Sequence, residues 1–157
     1  MNTFMKLHRY SNHVDHAIRL WGGTLLNLFL RCYVSWQFLK SGWLKLQNWP
    51  GTLELFRSEY HVPLLKPELA AVMGAGGELL FPILLILGLF SRPAALGLFM
   101  VNAMAVISYP QLWEFECPAA INDHFYWGIM LITVFVYGPG RLAADHLLST
   151  RATGSPV

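Results

Sequence analysis

The sequence predicts an all-α integral membrane protein, a four-transmembrane-helix bundle with both termini in the cytoplasm. Three observations predict this class. Hydrophobic residues make up 55% of the chain, only 13% of the residues are charged, and the mean hydropathy is +0.43. Apolar runs of membrane-spanning length recur along the chain, with polar connections between them. Lysine and arginine residues favour the side that would hold both termini.

The composition excludes several classes of function. The net charge of +2 is too small to indicate a nucleic-acid partner, and no basic aromatic patch or recognition-helix motif is present. No nucleotide-binding motif, catalytic triad or zinc-ligand spacing occurs. We therefore expect no metal site, and an accessory membrane subunit rather than an autonomous enzyme. The expected partners are the lipid bilayer and either a second protein or further copies of the chain.

Residues 1–19 are too polar for the apolar core of a signal peptide. Their apolar positions fall near one helical face, which predicts a cytoplasmic amphipathic segment at the membrane interface. Residues 20–148 form the predicted membrane domain, and residues 149–157 form a predicted disordered tail.

The first span is predicted over residues 20–39. Polar or small residues recur at every fourth position, in one stripe that should face other helices rather than lipid. They are Gly23, Asn27, Arg31 and Ser35. Lys45 follows in a tryptophan-rich segment typical of the membrane interface, and residues 51–66 are a polar connection that could hold a short surface helix.

The second span, residues 69–90, is apolar apart from Glu78. At 1.5 Å per residue such a helix is about 33 Å long, enough to cross a hydrocarbon core of roughly 30 Å. An ionisable group there costs on the order of 3 kcal/mol, so it should face a partner or a polar cavity. Pro82 cannot donate a hydrogen bond to the Glu78 carbonyl, so we expect the helix to be weakened or kinked near the acid.

Two further spans complete the predicted bundle. Residues 91–93 are a short link that makes spans two and three an antiparallel hairpin. The third span covers residues 94–109, an acidic loop covers residues 111–123, and the fourth span covers residues 124–137.

Each predicted span contributes one polar side chain at a similar depth. Counted at 1.5 Å per residue from the outer ends, they lie between about 10 and 13 Å deep. They are Arg31, Glu78, Asn102 and Thr133. The most economical arrangement pairs Arg31 with Glu78, because either charge alone would be uncompensated in a low dielectric. We expect Asn27, Ser35 and Lys45 to support this polar layer.

Two interpretations of the polar layer stay open. It could fix helix register alone, since polar contacts hold membrane helices together. It could instead line a pocket for a quinone head group, a small anion or a proton. If Arg31 points elsewhere, desolvation would leave Glu78 neutral and able to exchange protons.

Three other residues have side chains that could react or bind a ligand. Cys117, in the acidic loop, is a candidate reactive thiol. Cys32 lies inside the first span, about 10 Å below the outer surface, so a disulfide to Cys117 would need the loop to dip into the membrane. His124, at the mouth of the fourth span, is interpreted as an interfacial anchor rather than a ligand.

Four pieces of the sequence, in their order and spacing, resemble the DoxX family of bacterial membrane proteins. The first is Arg31 followed by Gly42 and Lys45, and the second is Glu78. The others are LGLFSRPAALGLF, residues 87–99, and GPGRLAADHLL, residues 138–148. The resemblance covers roughly residues 20–148.

The resemblance implies a multi-pass protein of the bacterial inner membrane that acts with a partner. Relatives include the small membrane subunit of a thiosulfate:quinone oxidoreductase and membrane components of redox-stress complexes. We therefore expect a redox-linked subunit that binds a quinone or relays protons at the polar layer. One branch of the family is associated with making or exporting copper-binding modified peptides, so the alternative is a non-catalytic membrane partner in such a system.

Overall fold

The computed structural model describes residues 18–114 and 119–153, together with residues 8, 10, 11 and 15. The regular elements in these ranges are all helical. A π-helical turn, Ile18–Gly22, leads into α1, Gly23–Gln47, followed by α2, Trp49–Ser58, and α3, Pro67–Leu87. The chain continues through α4, Ser91–Ser108, α5, Gln111–Glu114, α6, Ala119–Tyr137, and α7, Ala144–Thr153.

Four long helices form a ring in the order α1, α3, α4 and α6. The most extensive contacts join α1 to α3 and α4 to α6, and a smaller contact between α1 and α6 closes the ring. The core between them is apolar, with Val34, Phe38, Leu85, Leu98 and Leu131 among its buried side chains. The short helix α2 packs on α3 through a second apolar cluster.

The outer surface of the ring suits hydrocarbon. Large apolar side chains lie exposed on several helices, among them Phe29, Trp36, Leu80 and Ile129. Within the described part of the chain, α3, α4 and α6 are long and apolar enough to cross a membrane. α1 has 25 residues, but its polar stripe lowers its hydropathy, so the fourth crossing stays a prediction.

The first long helix extends well past its predicted end. α1 runs to Gln47 instead of ending at residue 39. The helix ends there because Asn48 leaves the helical conformation and its side chain accepts a hydrogen bond from the Gly51 N–H at 3.1 Å. Pro50 then fits the first turn of α2, where its missing N–H has no helical partner to lose. This α2 is the short helix that the polar connection could hold.

The turn between α3 and α4 lies earlier than predicted. Gly88 adopts φ 69° in the left-handed region, and the Leu89 N–H donates to the Leu84 carbonyl at 2.9 Å, a common helix ending. Residues 91–93, predicted as the link, are instead the first turn of α4. The helix α3 continues across Pro82, so this proline does not end it.

The two predicted terminal segments, residues 1–19 and 149–157, are only partly covered by the described residues. The predicted disordered tail is wrong for residues 149–153, because α7 continues to Thr153. Residues 154–157 lie outside the described residues, as does most of the predicted amphipathic segment, residues 1–19. The acidic loop is partly helical, since it contains α5 and the start of α6.

Candidate functional site

Glu78 forms an ion pair with Lys45 inside the bundle. Lys45 Nζ lies 2.8 Å from Glu78 Oε1 and 2.7 Å from Glu78 Oε2, and it also donates to Ser41 Oγ at 2.8 Å. The side chains of Lys45 and Glu78 are only 14% and 9% exposed. The predicted pairing of Glu78 with Arg31 is therefore wrong, because a different cation compensates the carboxylate.

A close approach of α1 to α3 places these two side chains. A Cβ added to Gly42 would lie 3.0 Å from Glu78 Cβ and 3.0 Å from Leu79 Cγ, which is tighter than ordinary contact. Glycine therefore allows the two backbones to come together at this point. Lys45 follows three residues later on the same helical face, so its side chain reaches Glu78.

A cavity of about 510 Å³ adjoins the ion pair. Its walls come from α3, α4, α2 and the segment between α2 and α3, with Lys45 of α1, and they are mostly apolar. In the described residues, the polar side chains that line it are Lys45, Tyr60, Glu78 and Ser108. Three apolar residues of its lining are more than half exposed on the outside of the bundle, namely Met73, Leu80 and Met100. The cavity thus reaches the surface that faces hydrocarbon.

Phe56 of α2 and Tyr60, which follows α2, line one side of the cavity and belong to an aromatic stack. The ring of Tyr60 lies between those of Phe56 and Tyr109, with centroid distances of 4.5 and 4.9 Å. Tyr109 Oη donates to Glu59 Oε2 at 3.1 Å, which holds the outer ring of the stack. Burial, and secondarily the charge of Glu78, raise the pKa of Tyr60 to about 12. The Tyr60 phenol is therefore neutral at physiological pH.

Arg31 is fully buried and binds backbone carbonyls instead of a carboxylate. Its Nη1 donates to the Leu85 carbonyl at 3.3 Å and its Nη2 to the Leu142 carbonyl at 2.6 Å. The depth estimate failed because α1 ends at Gln47, two turns later than predicted. Arg31 therefore lies about 12 Å farther from the outer end of its helix than the sequence suggested.

Asp145 completes the junction around the α3–α4 turn. Its Oδ1 accepts from the Phe90 N–H and its Oδ2 from the Ser91 N–H, both at 2.8 Å, while its own N–H donates to the Gly88 carbonyl at 2.8 Å. Burial alone would raise the pKa of Asp145. The hydrogen bonds from Ser91 and Phe90, together with the Arg31 charge, outweigh burial and lower that pKa below its ordinary value. A carboxylate of α7 thus caps the start of α4.

The polar stripe of α1 faces other helices, as predicted, at three of its four positions. Asn27, Arg31 and Ser35 are buried, whereas Gly23 is exposed. Asn27 Nδ2 donates to the Gly138 carbonyl at 2.7 Å, so this residue also holds the segment that follows α6.

The remaining members of the predicted polar layer do not join the ion pair. Asn102 Nδ2 donates to the His124 carbonyl at 2.9 Å, and Asn102 Oδ1 lies 2.7 Å from His124 Nδ1. Because Oδ1 can only accept, Nδ1 of His124 carries the proton in this contact. Thr133 Oγ1 donates to the Ile129 carbonyl of its own helix at 2.8 Å. The single predicted layer is therefore divided into separate hydrogen-bonded groups.

Cys32 adds nothing to this site. Cys32 is a free thiol on the exposed side of α1, and Cys117 lies outside the described residues. Among the residues that the structure describes, no three His, Cys, Asp or Glu side chains come together as a metal site would require.

The sequence analysis underestimated one residue of the candidate site and missed another. Lys45 was predicted only as a supporting residue. Asn48 and Pro50 are residue types that favour the start of a new helix, so they indicate that α1 ends after Lys45. Tyr60 carried no sequence signal, because its place in the cavity wall depends on how α2 packs against α3.

The comparisons with known proteins agree with this architecture. The sequence profile of the DoxX family matches residues 26–110, more than half of the chain, and this range contains the ion pair and the cavity. An uncharacterized protein of Haemophilus influenzae is 28% identical over 124 residues, which cover 77% of this chain and 82% of that protein. No solved structure matches the chain significantly. The resemblance found in the sequence is confirmed, and the chain is a multi-pass membrane protein that belongs to the DoxX family.

Proposed function

We propose that this protein is a subunit of a redox-linked complex in the bacterial inner membrane, and that it binds a quinone head group beside Lys45 and Glu78. The ion pair in the wall of an otherwise apolar cavity carries this proposal. Ionisable residues inside membrane helices commonly mark ligand or proton pathways. Ligand pockets typically combine apolar walls with a few polar groups that orient the ligand.

The shape and position of the cavity favour a ligand that arrives through the membrane. Its volume of about 510 Å³ is in the range of small-molecule sites, roughly 300–1,000 Å³. Because Met73, Leu80 and Met100 line it and are also exposed on the outside of the bundle, a lipid-soluble molecule could enter from the side. A quinone has the polar head and the apolar tail that such a site would accommodate.

The competing interpretation gives the ion pair a purely structural role in fixing helix register. That role requires contact between α1 and α3 alone, and the close approach at Gly42 already supplies it. It gives no reason for a cavity beside the charges, since helices held only for register would pack closely there. The cavity therefore favours the ligand-binding role.

We further propose four membrane crossings with both termini in the cytoplasm. The 25 residues of α1 correspond to about 37 Å, enough for a crossing, and lysine and arginine are more frequent on the side of the termini. Single cysteines at Ser58 and Arg151, in a variant lacking Cys32 and Cys117, test this with an impermeant thiol reagent. The cysteine at position 58 should react in intact cells, and that at position 151 only after permeabilisation. The reverse pattern would contradict this orientation.

Gentle purification from membranes, with mass spectrometry of co-eluting molecules, tests the quinone proposal. We expect a stoichiometric quinone with the wild type and with the control Glu54→Gln, which changes an exposed carboxylate of α2. Glu78→Gln should retain less of it, because an amide forms only a neutral hydrogen bond in place of a charge-assisted one. Gly76→Leu is a second test, because a Cβ at Gly76 meets no atom within 4 Å and the larger side chain would occupy the cavity. Wild-type protein that never carries or binds a quinone would refute the proposal.

A redox subunit of this kind would need a protein partner or further copies of the chain to complete its complex. The same purification reports such a partner as a protein that co-elutes in a fixed ratio. The alternative role in maturation of a copper-binding peptide stays a prediction from the family resemblance.

A further inference from the structure

From the proposed quinone site, we infer that the cavity prefers the reduced, hydroxyl-bearing form of the carrier, and that Glu78 accepts a hydrogen bond from a ligand hydroxyl. This preference follows from the donors and acceptors that the ion pair has already used. It deepens the proposed function by naming the redox form that binds.

Lys45 has at most one hydrogen left to donate to a ligand, because its other hydrogens are directed at Ser41 and at the Glu78 carboxylate. An ammonium group carries three hydrogens and no lone pair. Its Nζ lies within 2.8 Å of three oxygen atoms, namely Ser41 Oγ and the two carboxylate oxygens of Glu78. The carbonyl oxygen of an oxidised quinone is an acceptor only, so it would depend on that one hydrogen or displace one of these bonds.

Glu78, in contrast, retains free acceptor positions. An ionised carboxylate has about four lone-pair positions on its two oxygens. In the described part of the chain, Lys45 is its hydrogen-bond donor, with one contact to each oxygen. About two positions therefore remain on a side chain that lines the cavity. A hydroquinone hydroxyl can donate to them, whereas a quinone carbonyl would meet them as a second acceptor.

The other polar groups of the cavity do not reverse this preference. The hydroxyl groups of Tyr60 and Ser108 can each donate or accept, so they can serve either redox form. The neutral state of the Tyr60 phenol keeps both abilities. The apolar walls contact the ring and the tail of either form alike.

A hydrogen bond from a hydroxyl to a carboxylate is charge-assisted and stronger than one between neutral groups. We therefore expect the hydroquinone to bind about tenfold more tightly than the quinone, or better. For a two-electron couple, each tenfold preference for the reduced form raises the midpoint potential of the bound couple by about 30 mV.

The test uses the full chain in lipid nanodiscs without oxygen, titrated with a short-chain benzoquinone and, separately, with its hydroquinone. Tighter binding of the hydroquinone, with a matching rise in the potential of the bound couple, is the expected result. Equal or tighter binding of the quinone would overturn this inference and leave the proposed site intact. Binding of neither probe would overturn the proposed function itself.

Substitutions identify the group that causes the preference for the hydroquinone. Glu78→Gln introduces an amide that can donate, so the preference for the hydroquinone should disappear. The matched control Glu54→Gln should keep it, since Glu54 lies outside the cavity. If Glu78→Gln fails to fold because Lys45 is left unpaired, the double variant Lys45→Met with Glu78→Gln removes both charges. A preference that survives in the double variant would show that Glu78 is not the acceptor.

Discussion

Replacing Lys45 with methionine should strongly destabilise the protein. The residue Glu78 is only 7% exposed, so its carboxylate would lose both hydrogen bonds and its counter-charge without gaining water. Removing one partner of a buried ion pair costs about 3–5 kcal/mol. We expect the lower end, about 3 kcal/mol, because the Lys45 side chain keeps 14% exposure and methionine replaces much of its apolar stem. The measurement is the free energy of unfolding in mild detergent.

Two further variants separate the loss of pairing from other effects. Adding Glu78→Gln to Lys45→Met removes the stranded charge, so the double variant should recover most of the loss. Arg57→Met is the matched surface control, because Arg57 and Glu68 pair at 2.8 Å while their side chains are 52% and 53% exposed. It should have little effect. If Lys45→Met is no worse than this control, or the double variant is worse than the single one, the reasoning fails.

Three other outcomes follow from the contacts of Arg31, Asp145 and Gly97. Arg31→Gln should cost at least about 3 kcal/mol through its two carbonyl contacts, and adding Glu78→Gln should not restore stability, as unfolding measurements of both variants would show. The Asp145 carboxyl loses its proton more readily in the folded chain than in the unfolded one. Its contribution to the free energy of unfolding is therefore present above about pH 4 and is lost as the pH falls further. The melting temperature should therefore drop less between pH 5 and pH 3 in Asp145→Asn than in the wild type. Gly97→Ala would place a Cβ within 2.4–2.8 Å of the Phe81 ring, so it should lower the free energy of unfolding by about 1–3 kcal/mol and lower the melting temperature. Gly76→Ala, where the added Cβ meets open space, should leave the melting temperature nearly unchanged.

Features that depend on local sequence were predictable. The helical spacing of Asn27, Arg31 and Ser35 correctly placed them on a buried face, because the period of the helix alone fixes that face. The end of α6 at Tyr137 was also predicted, since glycine and proline follow it directly. The all-helical class followed from hydropathy in the same way.

The charge pairing could not be predicted from spacing alone. The partner of Glu78 depends on where α1 ends, and capping by Asn48 moved that end by two turns. Arg31 binds carbonyl oxygens, which every residue of the chain carries, so no residue type marks its acceptors. Only the folded path of the chain selects those of Leu85 and Leu142.

The hydrogen bond from Arg31 to Leu142 sets an order of events during biosynthesis. The two residues are 111 positions apart, so at about 5–20 residues per second the ribosome needs roughly 6–20 s to make the second after the first. Through that interval the arginine is in a nascent chain that does not yet contain one of its final acceptors. Closure of the bundle around it must therefore await translation of the C-terminal segment, and a chain that stops before Leu142 leaves this guanidinium incompletely bound.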